Sequence, residues 1–149
     1  MCRAISRAAL ALALGLGLAA ALQPAIAGAA TGDSLALAFP APVPDGTQFA
    51  ITLTGRTSVK NARIYVVDAS VPCHDALENP NDRALDFNVQ LRRKGAFDRV
   101  QQDTYTPGPP FFVCGFLLAG RHLKVLAHAS YELTPVLGGY AAAPASYDG

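Results

Sequence analysis

The stretch PPFFVCGFLLAG, residues 109–120, decides how the chain is read. After two prolines, Phe111 to Leu118 run without a charge, with Cys114 in the middle. In an extended chain successive side chains point to opposite faces. Phe112, Cys114, Phe116 and Leu118 therefore share one face, and Phe111, Val113 and Leu117 share the other. A strand apolar on both faces is central in its sheet or covered on its outer side. If the larger side chains choose the interior, Cys114 points to the core, where a bridge to a second sheet or to a loop would form. A thiol there is a core filler, a nucleophile, a metal ligand or half of a disulfide, and the rest of the chain separates these readings.

The compartment comes from the first residues. Arg3 and Arg7 precede an uncharged run of Ala, Leu and Gly from Ala8 to Leu22, and QPAIAGAA supplies small residues for a peptidase. This is the pattern of a secretory signal peptide over residues 1–27, cleaved after Ala27 or two residues later after Ala29. A run of about 15 apolar residues is shorter than the roughly 20 that a spanning helix needs, so no membrane span is expected after cleavage. The expected location is secreted or periplasmic.

Removal of the leader changes the charge and the cysteine count. The chain has 149 residues with twelve Lys plus Arg and eleven Asp plus Glu; without Arg3 and Arg7 the cations fall to ten, a balance of minus one. Such a balance supplies no overall attraction to nucleic acid or to an acidic membrane. Three cysteines become two when Cys2 leaves. In an oxidising compartment Cys73 and Cys114 are then the expected disulfide. The loop-entropy model gives about 4 kcal/mol for closing a segment of this length.

Past the leader, short segments of alternating apolar and polar residues recur between Gly, Pro, Asn and Asp. They place strands at 35–39, 49–54, 62–66, 85–91, 97–105, 111–118 and 121–133, and none has the period of a helix. PAPVPDG makes a corner after the first, and RRKG is read as the hairpin between the fourth and fifth. In the last strand Leu123, Val125, Ala127, Ala129, Tyr131 and Leu133 share a face. The expected fold is all-β, a two-sheet sandwich of about seven antiparallel strands over residues 33–134 with one disulfide. Residues 135–149, PVLGGYAAAPASYDG, have no period and are read as a flexible C-terminal tail.

The strand order, the PFFVC pattern at the start of the penultimate strand and a cysteine after the third strand resemble immunoglobulin-like or fibronectin-type sandwiches of small secreted bacterial proteins. The resemblance covers residues 33–134 and is one of architecture. The chain lacks Trp, and Phe112 stands where antibody domains often carry a tyrosine. Cys73 follows the third strand instead of lying on the second, so the antibody disulfide is not the template. Architecture does not assign function.

Candidate sites are few. The segment from Asp68 to Arg83 is the longest loop expected, and His74, Asp75, Glu78, Asn79, Asn81 and Asp82 make it a candidate binding loop. It does not meet the calcium-loop pattern of an EF-hand. Arg92, Arg93 and Lys94 form a candidate anion patch. His122 and His128 share a face with Lys124, Ser130 and Glu132, but at about 3.3 Å per residue they stand roughly 20 Å apart and cannot hold one ion together. His74 beside Cys73 does not make a nucleophile pair once the thiol is oxidised. No Gly-x-Ser-x-Gly, His-Glu-x-x-His or Gly-rich phosphate loop occurs. The expected function is a secreted or periplasmic non-enzymatic interaction or structural module, without catalytic residue, metal or cofactor, whose partner is a protein or glycan of the cell envelope or exterior. A small secreted hydrolase or redox enzyme, and a periplasmic metal carrier, are the alternatives.

Overall fold

The computed structural model describes residues 27–28, 32–74, 84–120 and 123–147. The segment read as a leader lies almost wholly outside the described residues. Ten strands follow in chain order: β1 (Ala27–Gly28), β2 (Ser34–Ala38), β3 (Val43–Pro44), β4 (Phe49–Thr57), β5 (Ala62–Ala69), β6 (Ala84–Leu91), β7 (Gly95–Asp103), β8 (Phe111–Ala119), β9 (Lys124–Val136) and β10 (Gly139–Pro144). The described residues contain no helix. The protein is all-β, with a four-stranded sheet in the order β1-β2-β4-β7 and a six-stranded sheet in the order β3-β10-β9-β8-β5-β6.

The long strands are those the alternation placed, and the six-stranded sheet curls into half a barrel. Two bulges lie in it. Val66 pairs with Phe87 and Val67 with Leu85, leaving Asp86 as an extra residue in β6. Leu117 pairs with Ala127 and Leu118 with Val125, leaving Leu126 extra in β9. A bulge bends its strand and strengthens local twist. The second one also corrects the face assigned to β9: Val125 crosses to the outer side, and Leu126 enters the core between the sheets.

Between the sheets lie Leu35 and Leu37 of β2, Ile51 and Leu53 of β4, Ile64 and Val66 of β5, and Val113 and Leu117 of β8, each with no exposed surface. Full burial of one such side chain contributes about 1.5–3 kcal/mol. On the opposite side of the six-stranded sheet Val67, Ala69, Cys73, Cys114, Phe116 and Leu118 form a second apolar cluster, against which Phe112, Val125 and Tyr147 pack.

This second cluster corrects the orientation expected for Cys114. The phenylalanines Phe112 and Phe116 and the cysteine between them face away from the facing sheet, not toward it. Bulk alone did not choose the face because space did. Gly115 stands on the inner face, and a Cβ there would fall 2.7 Å from Leu37 Cδ1 and 3.2 Å from Leu35 Cδ2. The two leucines fill the space that a side chain at 115 would need.

Two further expectations are corrected. The segment read as a hairpin, Arg92 to Lys94, joins β6 in one sheet to β7 in the other, so it is an inter-sheet corner between two unpaired edge strands. Residues 135–149 are not a loose tail throughout. Pro135 and Val136 complete β9, and β10 pairs with β9 from Gly139↔Val136 to Pro144↔Tyr131 and with β3 on its other side. Backbone pairing needs no large side chain, which is why this strand is silent in the apolar pattern. Its anchor is Tyr140, which is 1% exposed and donates its hydroxyl hydrogen to the Thr106 carbonyl at 2.7 Å. Gly139 (φ 150°) is required beside it, because a Cβ there would strike the Val43 carbonyl oxygen.

Candidate anion-binding surface

Cys73 and Cys114 form a disulfide with Cα atoms 5.7 Å apart, and both residues are fully buried. A sulfur without access to solvent is a structural bridge, not a reactive thiol. The Ser130 hydroxyl, on the β9 residue paired with Cys114, donates to Cys73 Sγ at 3.0 Å. Tyr147 closes this cluster from the C-terminal side. Its ring stacks on His128 at 3.6 Å and 17° and meets Phe116 edge-on at 6.4 Å, and its hydroxyl donates to the His74 carbonyl.

The bridge therefore fixes the start of the candidate loop. His74 is exposed at its rim, while Asp75, Glu78, Asn79, Asn81 and Asp82 lie outside the described residues, as does His122. Among the described residues no group of three or more His, Cys, Asp or Glu is placed to hold a metal ion. Among the described residues no helix is long and apolar enough to cross a membrane.

The charged side chains are sorted by the topology. In an antiparallel chain every second connection lies at the same end of the molecule. The β4–β5, β6–β7 and β8–β9 connections share one end; the β2–β4, β5–β6, β7–β8 and β9–β10 connections share the other. The first end carries Lys60, Arg92, Arg93 and Lys94 in its connections, Arg56, Arg63 and Lys124 on the flanking strand ends, and Arg99 midway along β7, all exposed. Among the described residues none of these cations meets a carboxylate at ion-pair distance. Arg99 donates instead to the neighbouring Asp98 carbonyl at 2.7 Å. Two described carboxylates lie toward this end: Asp98, exposed on β7 beside Arg99, and Asp33, which is 1% exposed and accepts from the Ser58 backbone N–H and, at 2.9 Å, from its hydroxyl. That carboxylate holds the β4–β5 connection in place and offers little charge to solvent. At the opposite end stand Asp45, Asp68, Asp103 and Glu132.

Two depressions open on the basic end. One, of about 460 Å³, lies in the inter-sheet corner and is lined by Gln90, Leu91, Arg92, Arg93, Ala96, Phe97 and Arg99. The other, of about 550 Å³, is lined by Lys60, Asn61, Arg63, Gln90, Gly120 and Leu123. Gln90 pairs with Arg63 across β6 and β5 and belongs to both walls, so the two form one cationic strip around the end of the barrel-like sheet. Neighbouring strands of one sheet are about 4.8 Å apart and packed sheets about 10 Å, comparable with the screening length of about 8 Å at physiological salt. Adjacent cations therefore act on a ligand together.

Sequence reasoning found Arg92 and Arg93 and placed Lys94 with them; the corner depression instead recruits Arg99 from β7 and leaves Lys94 outside its lining. Lys60, Arg63 and Arg99 were missed because none of them adjoins another cation in the chain. The signal that finds them is the parity of the connections: alternate connections of the chain are basic, while the connections between them carry no described cation. Compared with known proteins, the chain matches no family model, no curated protein and no solved structure.

Proposed function

We propose that the chain is an exported interaction module of the immunoglobulin-like, fibronectin-type class, which binds a negatively charged protein or glycan of the cell envelope or exterior through its basic end. Among the long strands the first, second and fifth (β2, β4, β7) lie in one sheet and the third, fourth, sixth and seventh (β5, β6, β8, β9) in the other. This order supports the sandwich class, with β3 and β10 as additions at one edge. The buried disulfide supports an oxidising compartment.

The observation that carries the reading is the separation of charge. A chain whose balance without its leader is minus one gathers its described cations at one end, without carboxylate partners among the described residues. Surfaces that serve only solubility intersperse both signs, and like charges held together repel unless a ligand offsets them.

Retention on sulfonate-bearing beads tests it with two variants of equal net charge. R92Q/R93Q/R99Q should release at clearly lower salt than the unaltered protein, whereas S70E/T106E/T134E, altered at the other end, should be retained nearly as before. Equal release of both variants would mean that net charge, not this end, governs binding. The export part is checked separately: the protein recovered outside the cytoplasm should begin at Gly28 or Ala30.

A further inference from the structure

Resting on the reading of the basic end as the binding surface, we infer that its ligand is a linear acidic polysaccharide, engaged along the cationic strip by several repeating anionic groups at once. Three features of the strip carry this. First, its cations are exposed and lie in separate elements: Arg99 on β7, Arg92 and Arg93 in the corner, Arg63 on β5 and Lys60 before it. An exposed ion pair contributes little alone, and no buried donor cluster exists among these residues to hold one small anion. Binding must come from many weak contacts made together, which only a multivalent ligand supplies.

Second, the strip is continuous and long. It passes from the corner depression to the outer-face depression through the shared Gln90, so an extended chain can follow it around the edge of the sheet without leaving the cations. Arg guanidinium groups present paired donors that suit carboxylate and sulfate alike, and Gln90 and Asn61 offer neutral donors and acceptors for hydroxyl groups between the charges.

Third, among the described residues the strip lacks what an unpaired nucleic acid strand uses. Such ligands stack their bases on exposed aromatic rings. The one ring lining the strip among the described residues, Phe97, is 8% exposed and belongs to the core between the sheets. A polymer of hydroxyl-bearing, charged sugar units needs no such platform.

The test measures binding of the purified protein to dextran sulfate, polygalacturonate, a single-stranded oligonucleotide of matched charge number, and inorganic sulfate. Both polysaccharides should bind more tightly than the oligonucleotide, and a plot of log affinity against log salt should fall with a slope steeper than about −3, the mark of several contacts made at once. R92E/R93E/R99E should weaken polysaccharide binding at least tenfold, and K60E/R63E, at the far end of the strip, at least threefold, both with unchanged thermal unfolding. Tighter binding of the oligonucleotide, or equally tight binding of inorganic sulfate, would overturn the polysaccharide inference and leave the anion-binding end standing. Binding that neither variant changes would overturn both.

Discussion

Gly115 lies directly beneath Leu37. The absent side chain at 115 and the leucine methyl 2.7 Å from where its Cβ would be are two halves of one packing arrangement. It determines which face of β8 looks into the sandwich. Packed cores tolerate added volume poorly.

Gly115→Ala should therefore destabilise the protein by about 1–3 kcal/mol, although the strand backbone accepts alanine well. Leu37→Ala alone should cost about 2–5 kcal/mol through the cavity it leaves. The double variant should be more stable than the sum of the two losses implies, by about 0.5–3 kcal/mol of coupling. Urea unfolding of the four proteins measures it, and strict additivity would show that the glycine is not there to make room.

The disulfide closes a separation of 41 residues, so replacing both cysteines by alanine should lower stability by about 4 kcal/mol in the loop-entropy account. Because both sulfurs are buried, reductant without denaturant should release no titratable thiol from Cys73 or Cys114, and these two should appear only through the unfolding transition. Rapid reduction in native buffer would contradict the burial.

β10 makes its own prediction. Truncation after Gly138 removes Tyr140, exposes the β9 edge and leaves β3 unpaired; such a chain should aggregate or unfold. Tyr140→Ala in the full chain should cost about 3–5 kcal/mol, as for other large buried rings. Its ring meets Phe111 at 5.2 Å, which in turn meets Tyr105 at 5.0 Å. Thermal unfolding checks both, and a truncated protein of normal stability would restore the reading of this segment as a loose tail.

Tyr131 gives a pH dependence. Burial raises its pKa above the usual value near 10, because the buried phenolate is disfavoured. The unfolded chain then loses this proton at lower pH than the folded one. The contribution is fully present below pH 10 and is lost as pH rises from there through the folded pKa. Tyr131→Phe should flatten that alkaline decline while keeping the edge-on contact with Phe39 at 5.2 Å. Stability curves above pH 9 that coincide for the two proteins would exclude the effect.

Much of this was written locally. Alternation in 49–54 and 85–91 states that the chain makes strands, because side chains on a strand alternate whatever the strand packs against. The pairing of Cys73 with Cys114 followed from elimination, once the segment read as a leader and its cysteine were set aside. The double-sided apolar character of β8 announced a strand that is central in its sheet or covered on its outer side. Sequence alone left open which face was which, since that depends on Gly115 meeting two leucines from another strand. It also left β10 silent, because ladder hydrogen bonds belong to the backbone and leave no apolar period.

The basic strip shows the same division. Arg92, Arg93 and Lys94 are adjacent in the chain and were legible as a cluster. Lys60, Arg63 and Arg99 join them only when antiparallel strands return alternate connections to one end and the corner carries the chain from one sheet to the other. The amino-acid sequence by itself determined the strands, the disulfide partners and the near-neutral charge, all properties of residue type and local spacing. Only the tertiary structure decided the face of Cys114, the anchoring of the C-terminal strand and the separation of charge, because each depends on residues far apart in the chain being brought together.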